Sequence, residues 1–431
     1  MTVGPMDSWG SGRAGRGASA LSGRIAALLA VAIACGAALR LVYPEDIVYA
    51  GDESWTFQHV QDVRDGGPWP LVGMPSSRGV NNAGMSVWVF VALGALGQVT
   101  TPAGLARAVA MLAMAAHVLA LVIPFRLVKD EREREPWIWA VVLAMTNPIL
   151  VYLERKIWAQ SVLPIFIVLL FCAWFRRKTR AGAFTWGALG ALIGQIHMAG
   201  FFFTPALAVW TFLFGGRMKH TRWGYWAVGS ALGAAPAVPW ILYLLRERPH
   251  ASGSPWWHRF RLEFYQYFLS DPSGLCGEYF LGKDVLRTMA HPFVAGHPTY
   301  LVLVAHVALA LASFALALRA LRFLWERRAA VRTLVGGGGT ETGLLLSAIL
   351  VGMGALMTLP GIAIHRHYML ATFPLQYVFT ALVALQRPAG RRWLLVLFFG
   401  GLVVSAGQLS FIHATGAFRT PTPTSAVAPH P

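Results

Sequence analysis

Apolar runs long enough to cross a bilayer recur along the whole chain. A spanning helix needs roughly 17–25 residues, and tilt or local bilayer thinning accommodates the shorter runs. Backbone groups in lipid must bond within their own segment, so these runs must be helical. The sequence therefore predicts an all-α polytopic membrane protein with about eleven transmembrane helices. Their approximate positions are 25–43, 107–128, 137–153, 161–175, 183–199, 201–215, 223–245, 299–321, 343–363, 369–386 and 393–412.

Composition agrees with this class of protein. Only 13% of the 431 residues are charged, whereas soluble domains carry roughly 25%. The three cysteines have no spacing typical of a disulfide framework or a zinc site. The first apolar run resembles a signal peptide, but we expect an uncleaved first helix because no soluble domain follows it.

The net charge of +17 is distributed unequally between the two sides of the predicted membrane. With the N-terminus inside, the inner segments hold 20 Lys/Arg and 7 Asp/Glu, and the outer segments hold 12 of each. This is the positive-inside pattern, and it places the N-terminus in the cytoplasm. The basic clusters are then explained by orientation and by contact with anionic lipids. We expect no nucleic-acid partner.

The predicted organisation has four parts. A disordered cytoplasmic N-terminus is followed by a first helical module, a C-terminal transmembrane region and a disordered extracytoplasmic tail, at 1–24, 25–215, 216–412 and 413–431. The first module contains a long outer loop, 44–106, and the second contains another, 246–298. In the first of these loops Met85–Leu96 is apolar but short, which predicts an interfacial or re-entrant helix.

The pair Asp52-Glu53 follows Gly51 at the start of the first outer loop. None of the predicted spans contains an Asp or Glu, whereas ion-coupled transporters usually carry ionisable groups within the membrane. The pair is therefore the leading carboxylate candidate for chemistry at the outer surface. The structural alternative is a helix N-terminus, which acidic residues also favour.

Cations in other outer segments suggest a partner for this carboxylate. Arg155 and Lys156 lie in a short outer turn, and Arg366 lies in another. A sugar transfer from a polyprenyl-phosphate donor needs a base for the acceptor hydroxyl and positive charge for the departing phosphate. The alternatives are interfacial snorkelling for Arg155 and Lys156, and an ion pair with an acid for Arg366.

A series of short motifs on the outer side resembles the GT-C membrane glycosyltransferases of family 39, the protein-mannosyltransferase and aminoarabinose-transferase group. The motifs are, in chain order, Gly51-Asp52-Glu53, Met85–Leu96, Ala106-Arg107, Asn147-Pro148, the stretch from Tyr152 to Trp158, and Arg366-His367-Tyr368 before Pro374. The resemblance covers the first 215 residues or so well and the remainder loosely.

The resemblance implies a GT-C fold and a role for particular residues. Asp52 corresponds to the base or acceptor-side carboxylate of the family, with Glu53 beside it. Arg107 corresponds to the arginine that opens the second helix, where the alternative role is to fix loop geometry. Family members often have a second Asp after the third helix, and this chain has Glu154 there.

Further residues at the outer surface are candidate substrate contacts. With Arg107 and Glu154, these are His197, His367 and Tyr368, although a histidine at a membrane edge is also compatible with a structural role. His365 and His367 lack an acid or cysteine at a metal-binding offset. Trp256-Trp257 has the character of an interface anchor, with stacking on the acceptor as the alternative.

Taken together, these residues predict a polyprenyl-phosphate-dependent glycosyltransferase in the inner (plasma) membrane. Asp52 is the expected base, and Arg155, Lys156 and Arg366 are the expected phosphate-binding residues. The acceptor is a cell-envelope glycan, lipid or protein. No metal or cofactor is expected, because Arg and Lys can supply the charge that a monophosphate donor needs. The alternative is a transporter or flippase of lipid-linked sugars, or a non-catalytic membrane scaffold.

Overall fold

The computed structural model describes residues 18–75, 80–215, 221–247, 261–326, 333, 335–359, 363–416 and 418. The expected tails at 1–24 and 413–431 lie mostly outside these residues, and the Trp256-Trp257 pair lies wholly outside them.

The first half of the described chain consists of helices joined by short connections, with one two-stranded sheet. The helices are α1 (Ala18–Leu41), α2 (Gly51–Arg64), α3 (Met85–Leu96), α4 (Pro102–Ala120), α5 (Glu131–Thr146), α6 (Pro148–Leu153), α7 (Leu163–Phe175), α8 (Arg180–Ile196) and α9 (Gly200–Phe214). The antiparallel strands β1 (Val72–Pro75) and β2 (Asn81–Ala83) place Val72 opposite Ala83. A π-helical turn, Ile123–Leu127, extends α4, and a 3-10 turn, Ala159–Val162, precedes α7.

The second half has two long helices, each of 26 residues, and several short ones around an irregular region. Its helices are α10 (Trp223–Ala234), α11 (Val238–Glu247), α12 (Glu263–Ser270), α13 (Glu278–Leu281), α14 (Val285–Thr288), α15 (Leu301–Glu326), α16 (Glu341–Ser347), α17 (Gly354–Thr358), α18 (Leu375–Leu385) and α19 (Gly390–Thr415). Strands β3 (Phe293–Val294) and β4 (His297–Pro298) pair before α15. Short 3-10 or π segments connect several of these helices, at Ala235–Ala237, Asp271–Ser273, Gly282–Asp284, Gly337–Gly339, Ala348–Met353 and Arg366–Thr372.

Six helices of the described chain are long and apolar enough to cross a membrane, judged by length and composition. They are Gly23–Leu41, Pro102–Leu127, Trp223–Glu247, Leu301–Phe323, Glu341–Thr358 and Gly390–Thr415. The pair Arg366–Thr372 and Leu375–Leu385, bent by 79°, makes a seventh if it is one span. These are the helices of a multi-pass membrane protein.

The described residues thus contain fewer single helices of spanning length than the eleven spans predicted. Several of the marked runs are helical but short: α7 has 13 residues and α9 has 15. The run at 137–153 is divided at Asn147-Pro148, because proline lacks the N–H that would continue α5. The two small sheets also correct the expectation of an all-α chain.

Close packing between helices uses small residues, as membrane bundles commonly do. Helices α8 and α10 approach so closely that a Cβ at Gly187, Gly229 or Gly233 would collide with the backbone of the facing helix. Large aromatic side chains, including Trp137, Trp174 and Trp186, fill the remaining interior and are almost fully buried. This core fixes the helix ends from which the site residues extend.

Candidate active site

The acidic pair begins α2, where Asp52 and Glu53 occupy the first turn. An acid in the first turn is stabilised by the unpaired N–H groups there. The Glu53 side chain is buried, and its Oε2 accepts a bond from the Ala50 N–H at 3.4 Å. Its Oε1 lies 2.8 Å from Lys156 Nζ. Glu53 therefore has two structural partners.

Asp52 differs from its neighbour because its side chain is exposed. No hydrogen bond or ion pair joins its carboxylate to another residue in the described part of the chain. Partial desolvation by the surrounding protein raises the pKa of Asp52, and the positive charge of Lys156 opposes that shift. This is a carboxylate available to an incoming group.

Lys156 connects the acidic pair to an aromatic surface. Its Nζ lies 3.3 Å from the centroid of the Trp158 ring, which is a cation–π contact. Burial lowers the pKa of Lys156, while Glu53 and then Asp52 counteract the shift. An ammonium group has three donors, and the ion pair with Glu53 occupies one of them.

The guanidinium of Arg155 bonds backbone carbonyls at and just after the C-terminal end of α1. Its Nη1 donates to the carbonyl oxygens of Leu39 (2.9 Å), Arg40 (3.3 Å) and Val42 (2.7 Å), and its Nη2 donates to Tyr43 (2.8 Å) and Asp46 (3.4 Å). A helix end leaves four carbonyl groups without intrahelical partners, and the guanidinium fork supplies donors for them. In the structure Arg155 is thus committed to backbone carbonyls rather than turned toward a ligand.

Glu154 lies inside the protein and not on a substrate surface. Its Oε2 accepts from Arg40 Nε at 2.6 Å, and His117 Nε2 lies 3.1 Å from both carboxylate oxygens. All three side chains are fully buried. Burial opposes ionisation of Glu154, but Arg40 and His117 outweigh it, so the pKa of Glu154 is lowered. The group ties α1 and α4 to the turn after α6.

Three predicted contact residues meet in one aromatic cluster with Trp158 and Tyr279. His367 lies edge-on to Trp158, with 5.1 Å between ring centroids, and its Nδ1 is 2.6 Å from the Tyr279 hydroxyl. The centroid distance from Tyr368 is 4.7 Å to His367 and 5.1 Å to His197. Because Lys156 lies over Trp158, this cluster adjoins the acidic pair.

Arg366 is next to this cluster in sequence but forms an ion pair of its own. Its Nη1 bonds Asp271, which is buried, and its guanidinium carbon lies 4.7 Å from the centroid of the Tyr267 ring. Burial raises the pKa of Asp271 to about 7 even though Arg366 lowers it. The side chain of Arg366 remains 18% exposed, so part of the guanidinium faces outward. This arrangement matches the ion-pair alternative for Arg366.

Arg107 is exposed on α4, and no hydrogen bond or ion pair holds its side chain within the described residues. A search of the same residues finds no group of three or more His, Cys, Asp or Glu side chains that could hold a metal ion. The sequence did not single out Tyr279 or Asp271 as site residues. Both come from the irregular region after α12, where no periodic pattern indicates which side chains turn inward.

The described chain is thus a mostly helical, multi-pass membrane protein with a charged and aromatic site at one end of its helices. No protein-family description and no curated protein sequence matches it. Its fold is similar to that of ArnT from Cupriavidus metallidurans bound to undecaprenyl phosphate. The TM-score is 0.52 at 11% identity, over 92% of this chain and 79% of that one.

A second solved structure resembles the chain less closely. It is the archaeal oligosaccharyltransferase AglB from Archaeoglobus fulgidus, in complex with an inhibitory peptide and a dolichol-phosphate. The TM-score is 0.47 at 11% identity, over 94% of this chain and 57% of that one. The similarity to ArnT shows the fold, which is the GT-C-like fold that the sequence resemblance implied. Membership of family 39 stays a prediction.

Proposed function

We propose that this chain is a membrane glycosyltransferase that moves a sugar from a polyprenyl-phosphate donor to an acceptor hydroxyl. The proposal rests on the exposure of the Asp52 carboxylate. Asp52 is exposed and unpaired within the described residues, while Glu53 beside it is buried against Lys156. In the reaction, Asp52 takes the proton of the acceptor hydroxyl as its oxygen bonds to the sugar. The bond between the sugar and the phosphate breaks as the new bond forms, and the polyprenyl phosphate leaves with the bonding electrons.

The departing phosphate requires positive charge close to the base. Lys156 is the leading candidate, because its charge acts on Asp52 and its ammonium has two donors beyond the ion pair with Glu53. Arg366 can contribute through the outward part of its guanidinium. We assign Arg155 to holding the end of α1, since its donors already bond five carbonyls. The fold similarity to ArnT, solved with undecaprenyl phosphate, supports a lipid-phosphate ligand.

The aromatic cluster is our candidate for contact with the sugar. Trp158, His367 and Tyr368 present ring faces and polar edges beside Lys156. Aromatic side chains of this type combine a large apolar surface with a hydrogen-bonding end. Glu53 supports the site by holding Lys156 in place. By the positive-inside rule, the site faces the extracytoplasmic side of the plasma membrane.

Transfer of a radiolabelled sugar tests the proposal. The purified protein in proteoliposomes is given labelled polyprenyl-phosphate sugars and candidate cell-envelope acceptors. We expect label in an acceptor, and we expect Asp52→Asn to reduce transfer by roughly 10²-fold or more, because a general base contributes about 10²–10⁴-fold. Asp62→Asn is the matched control, since Asp62 is also exposed on α2 and bonds Gln58.

Two results would contradict the proposal. Near-normal turnover by Asp52→Asn removes Asp52 as the base. Label that crosses the bilayer without entering any acceptor indicates transport of a lipid-linked sugar instead.

A further inference from the structure

A stacked aromatic pair continues from Asp52 along one side of α2. Trp55 and His59 follow Asp52 at i+3 and i+7, a spacing that places all three side chains on the same side of a helix. The rings of Trp55 and His59 are stacked, with 3.8 Å between their centroids and 27° between their planes. Both side chains are half-exposed. A partly open aromatic surface therefore lies one to two helical turns from the proposed base.

The other sides of α2 are held by contacts within the protein. Arg64 Nη1 donates to the Val99 carbonyl at 3.2 Å and to Gln61 Oε1 at 2.9 Å. The side that packs inward carries the buried residues Glu53, Thr56 and Val60. In the described part of the chain, no hydrogen bond or ion pair joins the side chain of Trp55 or His59 to another element. Their polar atoms are therefore available to a ligand.

The polar atoms on this side of α2 include both donors and acceptors. His59 Nδ1 lies 2.9 Å from the Trp55 carbonyl oxygen, which can only accept, so Nδ1 carries a proton. In the neutral imidazole, Nε2 is then an acceptor, whereas the indole Nε1–H of Trp55 is a donor. With the carboxylate of Asp52, the helix presents two acceptors and one donor around a pair of aromatic rings.

A sugar ring has the complementary chemistry. Its C–H groups form apolar patches that pack on aromatic rings, and its hydroxyl groups both donate and accept hydrogen bonds. The backbone of α2 is bonded within the helix, so only side chains can recognise an acceptor here. A peptide acceptor is recognised through different features, such as a sheet edge or an apolar groove.

We propose that the side of α2 formed by Asp52, Trp55 and His59 binds a carbohydrate acceptor. One sugar ring stacks on the Trp55–His59 pair while a hydroxyl of the acceptor meets Asp52. The pair lies roughly 5–10 Å beyond Asp52 along the helix, so the acceptor is an oligosaccharide rather than a single sugar. This inference rests on the proposed function, because it supplies the hydroxyl that Asp52 deprotonates.

Hydroxyl-radical footprinting of the full-length protein in nanodiscs tests this surface. The probe is the neutral oligosaccharide fraction released from the cell envelope of the organism that makes the protein, and the peptide fraction of the same envelope is the comparison. We expect the oligosaccharides to protect Trp55 and His59 from oxidation. Trp69, which is 49% exposed in the loop after α2, should stay reactive. Protection by the peptide fraction alone, or no protection, would overturn the proposal.

Two variants separate acceptor binding from folding. Trp55→Ala removes the stacking surface, whereas His59→Asn keeps a donor for the Trp55 carbonyl and removes the ring. Each should raise the KM for the acceptor roughly tenfold and leave kcat and the donor KM near wild type. Trp55→Phe keeps an aromatic ring and should recover most of the affinity, and Trp69→Ala is the matched control. Lower stability with an unchanged acceptor KM would show that the pair only supports folding.

The footprinting measurement is independent of sugar transfer. Asp52→Asn keeps a hydrogen-bonding side chain at this position, so the variant should still show protection of Trp55 by the oligosaccharides. Protection without transfer would remove Asp52 as the base and leave the carbohydrate surface in place. Transfer without protection would leave Asp52 as the base and remove this surface.

Discussion

Three consecutive charged residues have three different environments. Glu154 is fully buried against Arg40 and His117, Arg155 bonds the carbonyls at the end of α1, and Lys156 pairs with Glu53. Because the turn after α6 points each side chain in a different direction, adjacency in sequence does not make them one binding site. Only Lys156 borders both the acidic pair and the aromatic cluster.

The pKa of Asp52 gives a prediction about the pH dependence of transfer. A base works as the carboxylate, so kcat/KM should fall as the pH drops through the pKa of Asp52. Desolvation raises that pKa, while Lys156 lowers it. Removal of the positive charge should therefore move the acidic limb to higher pH. The variants to compare are Glu53→Gln and Glu53→Gln/Lys156→Met, because the second differs from the first only by the loss of the Lys156 charge.

The residual kcat/KM of the variants, measured across pH, shows whether the acidic limb moves when the positive charge is lost. Asp62→Asn should keep the wild-type profile, because its carboxylate bonds Gln58 at the exposed side of α2. An acidic limb at the same pH in Glu53→Gln and in the double variant would mean that Lys156 does not act on the catalytic carboxylate.

Sequence reasoning identified residue types at the site better than it identified their partners. Asp52, Glu53 and Lys156 were all candidates, and the structure brings them together. The burial of Glu154 could not be foreseen, because its partner Arg40 is 114 positions away in the chain. Local pattern reports which side chains are charged, whereas tertiary packing decides which charges neutralise one another.

At the scale of elements, the end of α1 depends on a residue from another segment. Arg155 donates to five carbonyl oxygens between Leu39 and Asp46, where the chain turns toward α2. A helix end without such donors would leave buried carbonyls unsatisfied. These hydrogen bonds from Arg155 therefore set the direction in which the chain approaches the acidic pair.

Loss of the Arg155 hydrogen bonds should increase the mobility of the connection between α1 and α2. We expect Arg155→Ala to reduce stability by at least about 2 kcal/mol, because several buried acceptors lose their donor. Amide hydrogen exchange should become faster at residues 42–47, and the thermal midpoint should fall. Arg64→Ala is the control, since Arg64 is an exposed arginine on α2. Exchange at 42–47 that matches the wild type would show that the backbone alone holds this turn.

The boundary between α5 and α6 lies inside the predicted span 137–153, so the sequence prediction missed it. Asn147-Pro148 was noted in the sequence, and in the structure Asn147 caps α6 by accepting from the Leu150 N–H at 3.3 Å. The same asparagine donates through Nδ2 to the Asp271 carbonyl at 2.9 Å, a contact that no local signal predicts. The cap follows from local chemistry, and the tertiary contact depends on the fold.

At the scale of the whole molecule, hydropathy predicted about eleven spans, and seven of them coincide with helices, or a bent pair of helices, of spanning length in the described chain. Apolar runs such as α7 are hydrophobic because they are buried within the protein as well as because they are near lipid: Leu163, Ile167 and Phe171 are all buried. Composition cannot separate these two environments. The GT-C-like fold emerged from the order of short motifs, and the similarity to ArnT supports it.

The orientation of the molecule in the membrane is the last prediction, and it follows from the charge distribution. Asp65 is exposed at the C-terminal end of α2, the helix that the acidic pair begins, and Lys178 is exposed between α7 and α8 in one of the basic clusters. The positive-inside rule places Lys178 in the cytoplasm and Asp65 outside.

In a background without Cys35, Cys172 and Cys276, single cysteines at these two positions report the side directly. A membrane-impermeant maleimide applied to intact cells should label Asp65→Cys, and Lys178→Cys should react only after permeabilisation. The reverse labelling would place the acidic pair in the cytoplasm, where the proposed transfer to a cell-envelope acceptor could not occur.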